Sequence, residues 1–247
     1  MASLDTQHAI AQSEAARVAA ASDLQFALPA VAARFHAATP HRVEFSFGSS
    51  GNFARQIQQS APLDVFFSAD ESFVLQLVDA GFTRDRGSLY AIGRIALVVP
   101  TTSTIALDDR LDGLRRDWAQ VRRFSIANPE HAPYGRAARE ALQKLGLWQQ
   151  AHDRLVLGEN ISQATQYVST GAAQAGITAL SLALAPPVAA LTRHLMLPDA
   201  LHQPLRQRMV LLKNARPAAA AFYEFLATPG ARSILSRYGF TSPGGVT

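Results

Sequence analysis

No cysteine occurs among the 247 residues. Disulfides, thiol catalysis and cysteine-held metal sites are thereby excluded, and both redox compartments stay open. No run of 18 apolar residues occurs, so the sequence encodes no membrane-spanning helix. Basic residues outnumber acidic ones by only four, and they are scattered, as in Arg115-Arg116, Arg122-Arg123 and Arg206/Arg208. No basic run is interleaved with aromatics, so the pattern is a mildly cationic surface and not a nucleic-acid footprint. Such a charge steers an anionic ligand only weakly. Enzyme signatures are also missing. Gly48-Ser49-Ser50-Gly51 is not a nucleophile elbow, and no Walker loop, G-x-G-x-x-G or H-E-x-x-H occurs. Asp64, Asp70, Asp108 and Asp109 do not make a metal cluster. His131 has no second histidine or nucleophile at a useful spacing, so it is read as structural. The stretch Met1 to Arg17 lacks the charged and apolar regions of a signal peptide. Either the protein has none, or this stretch is the replaced start of a mature form.

What is present is a globular composition. Hydrophobic residues make up 48% and charged residues 17%, enough to core one large or two modest α/β domains. The organising stretch is Phe45-Ser46-Phe47-Gly48-Ser49-Ser50-Gly51-Asn52. Val43, Phe45 and Phe47 alternate as one face of a strand, and Phe53 and Ile57 share a helical face. Between them lies a tight loop of small residues at a helix N-terminus. Such a loop exposes backbone N–H groups and hydroxyls at the positive end of the helix dipole, which suits an anion. Taken alone it is an ordinary helix cap.

The arrangement recurs. Val18 to Ala21 is followed by Ser22-Asp23 and the stripe Leu24, Leu28, Val31 and Phe35, in which Pro29 is expected to kink or break the helix. A strand at Arg123–Ala127 leads through Asn128-Pro129-Glu130-His131-Ala132-Pro133-Tyr134-Gly135 to a helix from Arg136. Gly158-Glu159-Asn160-Ile161-Ser162 opens the fourth copy, with Ile161, Thr165 and Val168 on one face. Further strands are expected at Leu63–Phe67, Ile95–Val99, Ala175–Leu180 and Met209–Leu212, and helix stops at Gly81, Gly146, Gly171 and Gly239. Strand–helix alternation implies parallel α/β sheets, in which ligands sit beyond the carboxyl ends of the strands. All four loops fall there. The candidate donors are Ser22, Ser50, the backbone near Ser49, Tyr134 with its phenol, and the backbone of Ile161. All are neutral.

Several segments together resemble the periplasmic molybdate-binding proteins of ABC importers. They are Ala19-Ala20-Ala21-Ser22-Asp23-Leu24, Phe47-Gly48-Ser49-Ser50-Gly51, Ala61-Pro62-Leu63-Asp64-Val65-Phe66-Phe67-Ser68-Ala69-Asp70, the Asn128–Gly135 loop, Leu142-Gln143-Lys144-Leu145-Gly146, Gly158-Glu159-Asn160-Ile161, and the end from Phe222 to Phe240. The match runs in order from about Val18 to Phe240.

The resemblance implies a two-lobed periplasmic-binding-protein fold of type II, its cleft lying between lobes joined by crossover strands. Lobe I would be 16–95 with 208–247, lobe II 96–207, and 1–15 a disordered or replaced start. It implies that Ser22, Ser49, Ser50, Tyr134 and Ile161 hold molybdate or tungstate as an oxyanion, with no direct ligand to the metal and no cofactor. Some relatives carry a ligand-binding tyrosine in a later G-I-x-Y strand. Ala179 stands there in this chain, so the phenol is assigned to Tyr134. The implied protein is a non-enzymatic, monomeric periplasmic carrier whose partners are the anion and a membrane permease. Two alternatives stay open: a binder of sulfate, phosphate or a phosphonate, and the effector-sensing part of a regulator. No helix-turn-helix precedes Val18, which weighs against the regulator. A small hydrolase using Ser50 or His131 is a further alternative.

Overall fold

A computed structural model describes residues 15–108 and 111–244. The expected irregular start lies, up to residue 14, outside the described residues. Among the described residues, ten strands form two five-stranded sheets. The first contains β1 (Ala16–Ala21), β2 (Val43–Gly48), β3 (Val65–Ser68) and β4 (Ser88–Gly93), and β5 (Ile95–Pro100) opens the second. The second continues with β6 (Phe124–Ala127), β7 (Leu155–Gly158), β8 (Ala175–Ala179) and β9 (Thr192–Met196). The chain then returns to the first sheet as β10 (Leu205–Leu211). The strand orders are β2-β1-β3-β10-β4 and β7-β6-β8-β5-β9. The result is two α/β lobes crossed twice by the chain, at Arg94 and between Met196 and Leu205.

Neither sheet is wholly parallel, which corrects the expectation from strand–helix alternation. In the first, β1 runs parallel to β2 and β3, whereas β10 is antiparallel to β3 and β4. In the second, β6 runs parallel to β7 and β8, whereas β5 is antiparallel to β8 and β9. The antiparallel strands are those that carry the chain between lobes. A strand that enters a sheet from the other lobe is not bound by the crossover helix that makes consecutive strands parallel.

The helices of nine residues or more are α1 (Ala27–Ala38), α2 (Ser50–Gln58), α3 (Glu71–Asp79), α4 (Pro133–Lys144), α5 (Ile161–Ser169), α6 (Pro217–Phe225) and α7 (Pro229–Arg237). The first sheet is covered on both faces, and β1 shows why it sits centrally. Its Val18 and Ala20 face Leu28, Phe67 and Phe222, while Ala19 faces Phe53, Phe66 and Leu77. The two-residue period of a strand sends alternate side chains to the two cores. Phe222 is the aromatic hub of one core, edge-on to Phe35 at 5.2 Å. The second lobe has its own core, built from Leu97, Phe124, Ile126, Ala138, Leu142 and Ile177.

Pro29 does not break α1, which runs on through it. It is the third residue of that helix, where its missing N–H would have had no intrahelical acceptor. Ser22 and Asp23 are likewise not the caps of α1. They form a short 3-10 turn, Ser22–Leu24, at the carboxyl end of β1, and α1 begins at Ala27. The expected stops hold at Gly146 and Gly171, where φ values of 69° and 78° follow the ends of α4 and α5.

Candidate functional site

Four chain turns meet between the lobes, each at the carboxyl end of a parallel strand. From the first lobe come the 3-10 turn after β1 and the start of α2 after β2. From the second come the start of α4 after β6 and the start of α5 after β7. Ser50 and Ile161 are the first residues of their helices and Tyr134 the second. Their backbone N–H groups therefore have no intrahelical acceptor. Pro133 suits the first position of α4 because it has no N–H to leave unpaired. Asn160 caps α5 by accepting from the Gln163 N–H at 3.1 Å.

The turns enclose a small cavity lined by Ala21, Ser22, Asp23, Gly48, Ser49, Ser50, Ala69, Ala132, Pro133, Tyr134 and Ile161. All five residues expected to hold an anion are in this lining, and no lysine, arginine or histidine is. Larger grooves of about 640 and 720 Å³ lie around Lys213 and around Tyr223. The first is at the amino ends of β1 and β3, opposite to where an α/β sheet presents its ligand site.

The lobes are shut over the cavity by bonds between them. Ser22 Oγ donates to Asn160 Oδ1 at 3.0 Å and accepts from the Ser162 N–H at 3.2 Å. Ser162 Oγ donates to Gln25 Oε1 at 2.6 Å. The Gly51 N–H donates to the His131 carbonyl at 3.0 Å, and Ser49 Oγ lies 3.0 Å from His131 Nδ1. Farther out, Arg136 pairs with Asp70 at 3.0 Å. Ser50 Oγ stays within its own lobe, accepting from the Ala69 N–H at 3.0 Å, which leaves its hydrogen free to donate.

Ser49, His131 and Glu159 deserve comparison with a hydrolase triad. The other ring nitrogen of His131 is 3.6 Å from Glu159, whose side chain is 71% exposed. A solvated carboxylate beyond hydrogen-bond reach does not orient an imidazole as a triad requires. Ser49 and His131 also sit on opposite lobes, so the pair is a latch.

The phenol of Tyr134 is not directed as expected. Tyr134 Oη donates to Asp23 Oδ2 at 2.9 Å and accepts from Gln207 Nε2 at 3.0 Å. Its one hydrogen is thus committed to a carboxyl group, and Tyr134 offers the cavity its backbone N–H. Gln207 Nε2 also donates to Asp23 Oδ2 at 2.7 Å, and Tyr90 Oη donates to Gln207 Oε1 at 2.6 Å. The backbone carbonyl of Asp23 accepts from Ser181 Oγ at 2.8 Å. Close approach of this network to the backbone explains Gly93, where a Cβ would stand 2.7 Å from Gln207 Nε2.

Asp23 and Gln207 are the site residues that the sequence reading missed. Asp23 is 1% exposed, and burial raises its pKa to about 7, against the lowering effect of the bonds from Gln207 and Tyr134. The signal for Gln207 was its place in β10. It occupies an inward position of Leu205, Gln207 and Met209, where a polar residue must find a buried partner.

The family model of the bacterial extracellular solute-binding proteins matches residues 16–241. The chain belongs to that family. Among relatives of this solute-binding protein, the molybdate-binding protein ModA of Rhodobacter capsulatus is 37% identical over 92% of this chain and 89% of its own. ModA of Escherichia coli is 32% identical over 95% of this chain and 91% of its own. The solved structure of the periplasmic molybdate-binding protein of Azotobacter vinelandii superposes with a TM-score of 0.84 at 31% identity, covering 92% of this chain and 99% of that one. The two lobes and the cleft of this solute-binding protein are thus the architecture of that structure. Among the described residues no helix is long and apolar enough to cross a membrane. None of them forms a cluster of three or more metal-ligating His, Cys, Asp or Glu side chains.

Proposed function

We propose that this protein binds a tetrahedral oxyanion, molybdate and tungstate foremost, in the cavity between its lobes and delivers it to the permease of an ABC importer. The observation that carries this reading is the convergence of three helix N-termini and one 3-10 turn on a single small cavity without a cation. The backbone N–H groups of Ser22, Ser50, Tyr134 and Ile161 and the hydroxyl of Ser50 are the donors, with Ser22 and Ser49 also tying the lobes together. Each hydrogen bond to a charged acceptor is worth roughly 1.5–3 kcal/mol, so five to seven of them support tight binding after the cost of ordering. Neutral donors suit an anion that must be released again, because no salt bridge has to be broken. The metal is reached only through its oxygens, and no cofactor takes part. The relatives named molybdate-binding support the choice of anion, and a monomeric periplasmic carrier without catalytic activity fits the same reading.

The test is thermal unfolding in phosphate-free buffer with molybdate, tungstate, sulfate or phosphate at equal concentration. A ligand bound only by the folded state adds about 2.7 kcal/mol at 100 times its dissociation constant. A rise in Tm with molybdate and tungstate alone supports the reading. A rise with sulfate or phosphate instead transfers the site to another oxyanion, and no rise with any of them removes the anion.

A further inference from the structure

The cavity lining contains one carboxyl group, and the proposed ligand set leaves it out. Asp23 lines the cavity beside Ser22, and its two carboxyl oxygens are treated differently. Oδ2 accepts two hydrogen bonds, from Tyr134 and from Gln207. Oδ1 is fully buried and has no hydrogen-bond partner. That division matches a neutral carboxylic acid, in which a carbonyl oxygen accepts twice and a hydroxyl oxygen holds a hydrogen still to be donated.

The groups facing Asp23 from each surrounding element reinforce this. Tyr134 of α4 and Gln207 of β10 touch it directly, Tyr90 of β4 stands behind Gln207, and Ser181 binds its backbone. None is cationic. The phenols of Tyr90 and Tyr134 are both held above their ordinary values, by burial first and then by Asp23, so both stay neutral. A carboxylate and an oxyanion sharing a dry cavity without a countercharge would repel, and the less acidic of the two takes a proton.

Resting on the reading of the cavity as an oxyanion site, we propose that Asp23 is a further ligand that enters the complex as the neutral acid, donating a hydrogen bond from Oδ1 to the anion. Binding then takes up one proton from solvent wherever Asp23 is ionised in the free protein. The carboxylate oxygen gains the proton, the anion gains a donor, and no other bond changes. Near pH 7, where burial set against the bonds from Gln207 and Tyr134 already places the group, the uptake is partial, and it approaches one proton above that. The carrier would therefore load more tightly in mildly acidic surroundings than in alkaline ones.

The experiment is calorimetric titration of the intact protein with molybdate from about pH 6.5 to about pH 8.5, in buffers of different ionisation enthalpy, with Asp23→Asn alongside. The wild type is expected to take up close to one proton at the alkaline end and to lose about tenfold in affinity per pH unit there. Asp23→Asn keeps an N–H donor and both acceptor bonds, so it is expected to bind without proton uptake and with a flat pH profile. An infrared carbonyl band of a neutral carboxyl group, present in the wild-type complex and missing from the variant, reports the same proton directly. A flat wild-type affinity without proton uptake would overturn the proposal, and so would an unchanged pH slope in Asp23→Asn. If the variant does not fold, the wild-type proton count and infrared band decide alone. Absence of binding heat at every pH is a separate outcome, which removes the anion reading itself.

Discussion

Gly51 and His131 approach each other across the cleft so closely that only a hydrogen fits between them and the next atom. The Gly51 N–H donates to the His131 carbonyl, and a Cβ on Gly51 would stand 2.8 Å from that same oxygen. This contact exists only when the lobes are shut. Gly51→Ala should therefore weaken anion binding without unfolding the protein. A loss of about tenfold or more is expected, equivalent to about 1.4 kcal/mol against closure. The ligand-free Tm should stay level or rise, because alanine is favoured over glycine within a helix by up to about 1 kcal/mol. Titration with molybdate beside a melt of the free protein checks both. A fall in Tm with unchanged affinity would mean that the contact serves the fold and not closure.

Tyr134→Phe separates two roles for the phenol. If the hydroxyl serves Asp23, its loss removes a donor from Oδ2 and an acceptor from Gln207, all of them buried. Folding stability should fall by about 1–3 kcal/mol. Molybdate affinity at mildly acidic pH should change by only a few fold, since the backbone N–H of residue 134 remains. Denaturant unfolding and anion titration of the same variant measure the two effects. A large loss of affinity with little loss of stability would return the phenol to the anion.

Much of this arrangement could be read from the residues, and the gaps have physical causes. The strands β1, β3, β5, β6 and β8 were legible because they are buried on both faces and carry continuous apolar runs. The edge strands β4, β7 and β9 went unseen. Leu155, Val156 and Leu157 of β7 are each partly or fully exposed, and β9 carries Arg193 and His194, so neither shows a buried run. The loops of Ser50 and Ile161 were visible because capping chemistry is local. The partnership of Asp23, Tyr134 and Gln207 was not. It joins positions 111 and 184 residues apart: the return of β10 to the first sheet brings Gln207 to Asp23, and the meeting of the two lobes brings Tyr134. Direction was equally hidden: the sequence places Tyr134 at the cavity, and only the fold turns its hydroxyl to Asp23.

Two buried aspartates should give the ligand-free protein opposing pH responses. Asp64 sits at the amino ends of β1 and β3. Burial would raise its pKa, but the Arg216 side chain and the backbone N–H groups of Arg17 and Arg216 hold it below the usual carboxylate value. A depressed pKa means that the unfolded state binds the proton more readily. The stability Asp64 contributes is therefore present above the unfolded value near 3.9 and lost as pH falls through the folded one. Asp23 has the opposite sign. Its folded pKa of about 7 exceeds the unfolded value, so the folded state holds the proton between the two. Stability then falls as pH rises through that window, by about 4 kcal/mol in all for a shift of about three units. His194 and His202, lowered by burial, act in the reverse direction below their ordinary value. The informative quantity is thus the difference between wild type and Asp23→Asn, in which the histidines and Asp64 cancel. Unfolding free energies measured from about pH 4.5 to about pH 8 should show Asp23→Asn gaining on the wild type steadily as pH rises and levelling above pH 7. A constant difference would mean that Asp23 titrates alike in both states, and the proton would then have to be found elsewhere in the cleft.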